Sequence, residues 1–234
     1  MIELVFATNN AHKLEEVQAM VGDKFCLKSL HDIDCQDDIP ETGITFQENA
    51  QQKTDYLVNK YGLYCFGDDS GLEIDALNGE PGVYSARYSG SRDMEQNIDL
   101  VLEKLGDTAN RTARFKTVIS LYLNEKQLFF EGAIEGTIIK ERKGVKGFGY
   151  DPIFIPNGYD ITFAEMSPDE KNAISHRSIA VSKMAEYLKN LFDKDSNLQE
   201  VYLKAEISNF KAHTRGHLYF TLKDETSRIN AVMF

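Results

Sequence analysis

The chain has 234 residues, 42% hydrophobic and 27% charged, so it can bury a core and is not disordered by composition. Its formal charge of −11 excludes a general nucleic-acid coat protein, and an anionic ligand would need local cations or a metal ion to hold it. No apolar run approaches the roughly 18 residues that span a bilayer. Met1-Ile2-Glu3-Leu4 shows no signal peptide, and Cys26, Cys35 and Cys65 lack metal-ligand spacing, which suits a reducing cytoplasm.

Ile2 to Ala7 is a short apolar run that predicts a buried strand. The polar loop Thr8-Asn9-Asn10-Ala11-His12-Lys13 follows, then Leu14, Val17 and Val21 at helical spacing. The loop enters a helix N-terminus, where unpaired N–H groups and the dipole favour an anion; ordinary capping gives the same pattern. Thr45-Phe46-Gln47-Glu48 is a capping box opening a helix to about Tyr61. Leu63 to Gly67 predicts a buried strand that ends in a loop, Asp68-Asp69-Ser70-Gly71. Adjacent carboxylates there repel unless cations or protons offset them. Mg²⁺ is the usual partner of such oxygens beside phosphates, and the turn Pro40-Glu41-Thr42-Gly43 offers a third carboxylate; a turn cap by Asp68 is the other reading.

Asn78-Gly79 and Pro81-Gly82 are turn signals, and Ser91 is the expected cap of a helix carrying Ile98, Val101, Leu102 and Leu105. Phe115 to Leu123 and Gln127 to Ala133, joined by Asn124-Glu125-Lys126, predict a β-hairpin. In Gly144 to Asp151, Gly147 and Gly149 flank Phe148, which either stacks on a flat ligand such as a base or tucks into the core. Ser167-Pro168-Asp169-Glu170-Lys171 precedes His176 and Arg177, side by side at the start of the last helix; they are donors for a keto oxygen or phosphate, or a solvated face. Ala180, Met184, Leu188 and Leu191 form a core stripe on that helix. Alternating strands and helices with one antiparallel hairpin predict an α/β body with a mixed sheet.

The texture changes near residue 195. Residues 1–195 carry −12 and residues 196–234 carry +1, which places a boundary between a 1–195 domain and a 196–234 segment. In the tail, alternation over Val201–Ile207, Leu218–Leu222 and Ile229–Met233 predicts three strands, the last two separated by the turn Asp224-Glu225-Thr226-Ser227.

Residues 1–193 closely resemble the inosine/xanthosine triphosphate pyrophosphatase family, which removes non-canonical purine nucleotides. The matching segments are Thr8-Asn9-Asn10…Lys13, Glu41-Thr42-Gly43, Phe46…Glu48-Asn49-Ala50, Asp68-Asp69-Ser70-Gly71-Leu72, Pro81 to Tyr88, Phe148-Gly149-Tyr150-Asp151-Pro152 and Lys171…Ser175-His176-Arg177. The resemblance implies two α/β lobes around an elongated mixed sheet flanked by helices, a homodimer, and Mg²⁺-dependent hydrolysis of ITP, dITP and XTP to the monophosphate and pyrophosphate. It implies Asp69 as general base and metal-linked carboxylate, with Glu41 as a second metal-side group. Thr8, Asn9, Asn10, Ala11, His12 and Lys13 would hold the triphosphate, with Ser70 a substrate contact. Phe148, Gly149, Tyr150 and Asp151 would frame the base, with Lys171, His176 and Arg177 completing the site. Many members carry Gly where this chain has His12.

Residues 198–234 resemble part of the N-terminal OB-fold of the exonuclease VII large subunit, on Glu206 to Phe210 and Gly216 to Asp224. That resemblance implies a short all-β segment able to bind single-stranded DNA. An OB-fold needs five strands, so three predict an incomplete barrel.

Overall fold

The computed structural model describes residues 2–10, 13–14, 17–18, 25–194, 206–212, 218–223 and 228–233. The chain divides into two compact units, 1–188 and 189–234. In the first, strands β1 (Ile2–Phe6), β2 (Phe25–Lys28), β3 (Cys65–Ile74), β4 (Thr112–Leu123), β5 (Lys126–Ile138) and β6 (Phe154–Pro156) form one sheet in the order β2-β1-β3-β4-β5-β6. β1 runs parallel to β2 and β3, and the rest is antiparallel, so the predicted mixed sheet is present.

From Leu4 onward β1 is apolar because both its faces are covered, while Glu3 is exposed and pairs with Lys28. Leu4 and Phe6 join the cluster against the last helix, while Val5 and Ala7 join the cluster against the first long helix. That helix, α1 (Phe46–Tyr61), starts at the predicted capping box, with Thr45 accepting from the Glu48 N–H. A third cluster, built from Leu72, Ile74, Phe115, Phe154 and Phe163 with helix α2 (Met94–Leu105), forms the far lobe. The cap of α2 is Asp93, which accepts from the Glu95 and Gln96 N–H groups; Ser91 lies one step out and accepts from the Asp93 N–H. The hairpin is longer than its apolar core suggested. Its turn is the two-residue Asn124-Glu125, both at positive φ, and Lys126 already pairs with Leu123.

A larger correction concerns Asp68-Asp69-Ser70-Gly71. They are not a loop after a strand but the middle of β3, with Asp68 opposite Ile119 and Asp69 opposite Val118 on β4. Patterning rules end a strand at paired charges; tertiary partners keep this one going.

The short helix α3 (Pro168–Ile174) is capped by Ser167, and α4 (His176–Lys194) follows. Ala180, Met184 and Leu188 are buried as expected, but Leu191 is exposed. The start of α4 lies against β5 at Gly132, where a Cβ would collide with the His176 carbonyl oxygen and stand 2.6 Å from the Ala180 nitrogen. His176 itself is buried and stacks on Phe115 at 4.9 Å between ring centroids.

In the second unit, β7 (Glu206–Ala212), β8 (Leu218–Lys223) and β9 (Arg228–Met233) form an antiparallel sheet in that order. The first tail strand thus covers Glu206–Ala212; the expected Val201–Ala205 portion and the turn 224–227 lie outside the described residues. Among the described residues no helix is long and apolar enough to cross a membrane.

Two outcomes follow from the seat of α4. Gly132→Ala should lower unfolding free energy by about 1–3 kcal/mol through overpacking, read by denaturant melts; unchanged stability would mean that α4 does not need this close approach. Burial, reinforced by Arg177 and Lys171, drives the His176 imidazole well below its ordinary range. A neutral folded histidine stabilises fully above the unfolded value of about 6.5, and that stability is lost as pH falls below it. Unfolding measured between about pH 5 and 8 should therefore show an acid-side loss that is smaller in His176→Gln. Equal slopes in the two proteins would show that His176 is not the group responsible.

Candidate active site

β1 ends at Phe6, opposite Phe66, while β3 runs on to Ile74. Beyond Gly67 one edge of β3 is therefore left without β1, and a cleft of about 820 Å³ opens there. Thr8, Asn9, Asn10 and Lys13 line it from the β1 loop, Glu41 from its turn, and Asp69 and Ser70 from β3. Phe148, Gly149, Tyr150 and Asp151, with Lys171, His176 and Arg177, line the same cleft from the far side. The structure thus brings every described residue of the expected site to one cavity. Ala11 and His12 lie outside the described residues.

Successive residues of a strand face opposite ways, so Asp69 lines the cleft while Asp68 meets it through Lys13 and Arg177. Asp69 faces α1. Its Oδ2 accepts from Asn49 Nδ2 at 2.9 Å and its Oδ1 from the Ser70 N–H at 3.0 Å. Burial raises the Asp69 carboxyl above its ordinary range, and Lys53, Asn49 and Lys13 offset this only in part. Asp68 faces α4. Its Oδ1 pairs with Lys13 Nζ at 3.0 Å, and its Oδ2 lies 3.5 Å from Arg177 Nε and accepts from Ser70 Oγ at 3.1 Å. Burial opposes this charge, but Lys13, Arg177 and Lys53 hold the carboxyl well below the usual carboxylate range. Asp68 is therefore a buried, paired carboxylate and not a turn cap.

In the β1 loop, Thr8 Oγ1 accepts from the Asn10 N–H and Asn10 Oδ1 from the Lys13 N–H, so the capping reading holds while the same loop lines the cleft. Burial lowers the Lys13 ammonium, with Lys53 and Arg177 adding to the effect and Asp68 opposing it.

Lys53 belongs to this site from outside the matching segments, and Asn49 and Arg87 join it from inside them without being among the site residues that the resemblance implies. Lys53 is buried; its Nζ pairs with Glu41 Oε1 at 2.5 Å and donates to the Asp68 carbonyl on the free edge of β3 at 2.6 Å. Burial works against its charge, but Asp68, Glu41 and Asp69 raise its pKa. Glu41 also faces Arg87 at 3.7 Å; burial disfavours its charge, and Lys53, Lys13 and Arg87 outweigh that and hold it below its ordinary value. Asn49 Oδ1 accepts from the Gly43 N–H at 2.7 Å, so one amide fastens the Glu41 turn to Asp69. The available signal was a helix face: Phe46, Asn49, Ala50, Lys53, Thr54 and Leu57 are the buried residues of α1, so three of the six on the buried stripe are polar.

At the far side Asp151 fastens the glycine loop. Its Oδ2 accepts from the Phe148 N–H and from Lys171 Nζ, each at 2.8 Å. Gly147 has φ +77°, and a Cβ there would collide with that carboxylate. The Phe148 ring lies over Lys171 Nζ at 4.6 Å and near the Arg177 guanidinium at 5.7 Å, so it neither enters the core nor stands clear of the loop. Tyr150 is buried and donates to the Ser85 carbonyl at 2.8 Å. His176 Nδ1 is buried with no hydrogen-bond partner among the described residues.

A model of the Ham1 family matches residues 4–187, and one of an OB-fold nucleic acid binding domain matches residues 179–234. A dITP/XTP pyrophosphatase of Christiangramia forsetii is 53% identical over 188 residues, covering 80% of this chain and 99% of that protein. One of Porphyromonas gingivalis is 47% identical over 190 residues, covering 80% and 98%. The solved Ham1 protein of Staphylococcus aureus aligns with a TM-score of 0.76 at 38% identity, covering 81% of this chain and all of that one. With β3, its carboxylates and the facing glycine loop all inside the matched span, the chain belongs to the Ham1 family.

Proposed function

We propose that this chain hydrolyses ITP, dITP and XTP to the monophosphate and pyrophosphate. The observation that carries the reading is the shared cleft, with a cationic loop at one end, an aromatic loop with donors at the other, and a buried carboxylate of raised pKa along its wall. Curated relatives named dITP/XTP pyrophosphatase, aligned over nearly their whole length, support the same activity.

Thr8, Asn9, Asn10 and Lys13 offer donors to the triphosphate, and the resemblance extends this to Ala11 and His12. Lys53 adds a second ammonium beside Asp69. Asp69 accepts a proton from the attacking water; the water oxygen bonds to phosphorus as the anhydride bond breaks, and pyrophosphate leaves. Asn49 and the Ser70 N–H fix the direction of that carboxylate. Among the described residues no cluster of three or more metal-ligating side chains forms. Mg²⁺ fits nonetheless, because it takes one or two carboxylates and completes its shell with water and phosphate oxygens. Asp69 and Glu41 are the residues that would hold it. Bound there, Mg²⁺ neutralises charge on the phosphates. A homodimer and a cytoplasmic location accompany this reading on the strength of the resemblance and the cysteine usage alone.

Base choice is a matter of donors. Hypoxanthine and xanthine present a keto acceptor where adenine presents an amino donor, and Arg177 has only donors. Adenine therefore leaves a mismatched buried pair, costing about 1–3 kcal/mol. The unpartnered Nδ1 of His176 lies at the same end.

Pyrophosphate release from a nucleotide panel tests this. Asp69→Asn should lower turnover at least about 100-fold, and a chelator should abolish activity that Mg²⁺ restores. Arg177→Ala should erode the preference for ITP over ATP; an unchanged ratio with slower turnover would dismiss the base assignment.

The OB-fold match favours a second activity in residues 196–234, single-stranded DNA binding. Directly opposed residues of an antiparallel sheet share a face. The register pairs Tyr219 with Lys211 and Val232, Thr221 with Ser208 and Asn230, and Lys223 with Glu206 and Arg228. Three basic residues against one acidic residue, with a tyrosine among them, suit a single-strand surface. Fluorescence anisotropy with an oligonucleotide should show salt-sensitive binding that Tyr219→Ala and Lys211→Gln weaken; salt-independent or absent binding would remove this activity.

A further inference from the structure

One carboxylate stands between the two ends of the cleft. Asp68 is only 2% exposed and is held in the middle of β3 by its pairing with β4. Its Oδ1 meets Lys13 of the first loop at 3.0 Å, and its Oδ2 meets Arg177 of α4 at 3.5 Å. Ser70 Oγ donates to the same Oδ2 and also bonds Thr117 Oγ1 on β4, which limits how the carboxylate can turn. Lys13 and Arg177 thus share one buried anion on a strand paired along its length with β4.

Resting on the pyrophosphatase reading, we propose that Asp68 is a positioning residue that makes phosphate placement depend on base identity. A keto base accepts from the Arg177 guanidinium and leaves Arg177 and Asp68 in register, so Lys13 keeps its place against the phosphates. An amino base presents donors to a group that has only donors. Arg177 then draws closer to Asp68 Oδ2, the anion is shared less with Lys13, and Lys13 is loosened from its position. In a buried site these charges are poorly screened, so a small displacement at one cation is felt at the other. Discrimination is then made twice, once at the base and again at the reacting phosphate.

If the two ends acted independently, a substitution at Lys13 would slow ITP and ATP by the same factor. Coupling predicts otherwise. Pyrophosphate release from ITP and from ATP is to be measured on the full chain, on Lys13→Gln and on Asp68→Asn, with equilibrium binding of both nucleotides for any variant too slow to assay. The ITP-to-ATP ratio should fall by about fivefold or more in both variants, the lower end of typical site–site couplings. Equal loss on both nucleotides overturns the proposal. Where Asp68→Asn fails to fold, Lys13→Gln, at a partly exposed position, decides alone. A native chain that releases pyrophosphate from neither ITP nor XTP removes the hydrolase reading and this coupling with it. A native chain that discriminates while Lys13→Gln keeps the same ratio removes the coupling only.

Discussion

The site depends on one mismatch of strand lengths. β1 stops at Phe6 and β3 continues to Ile74, so a central strand acquires an unpaired edge inside the fold. An interior edge exposes backbone groups that need partners, and Lys53 supplies one by donating to the Asp68 carbonyl. The same edge lets side chains from both faces of one strand serve one region: Asp69 on the α1 side and Asp68 on the α4 side. If β1 were a few residues longer, it would cover the positions where Asp69 and Ser70 meet the cleft.

Two adjacent buried carboxylates are tolerable only because they are offset differently. Asp68 is ion-paired to two cations and hydrogen-bonded to a serine. Asp69 has amide donors only, and burial raises its carboxyl. Environment thus sets two like groups apart, one held as a paired anion and the other with its carboxyl raised. The acidic body meets its own problem locally: Lys13, Lys53, Arg87, Arg92, Lys171 and Arg177 line the cleft beside Asp37, Asp38, Glu41, Asp69 and Asp151, so the cleft nearly balances its charge while the chain as a whole carries −11. A polyanion would be drawn by local fixed charges and not by the overall field, and steering from a distance would be weak.

The lobe that carries Phe148 shows the same economy of fixed parts. One carboxylate, Asp151, holds both the Phe148 N–H and the Lys171 ammonium, and Gly147 makes room for it. Gly132 lets α4 approach β5 closely enough to bring His176 and Arg177 to that side. Small residues here set the positions of large functional ones.

Much of this was legible in the residues. The capping box at Thr45, the apolar run of β1, the hairpin around Asn124 and the stripe on α4 are local patterns, and local patterns follow from backbone sterics and periodic burial. The motif segments also gave the expected site residues. What local rules could not give was the course of β3 through Asp68 and Asp69, because paired charges break a strand unless distant cations meet them. Nor could they pick out Lys53 or Asn49, whose partners lie 15 and 20 positions away. The sequence alone determined which groups are available and the class of fold that carries them. Tertiary structure decided which carboxylate is paired with cations and which has its pKa raised, since that follows from burial and from charges brought together across the chain.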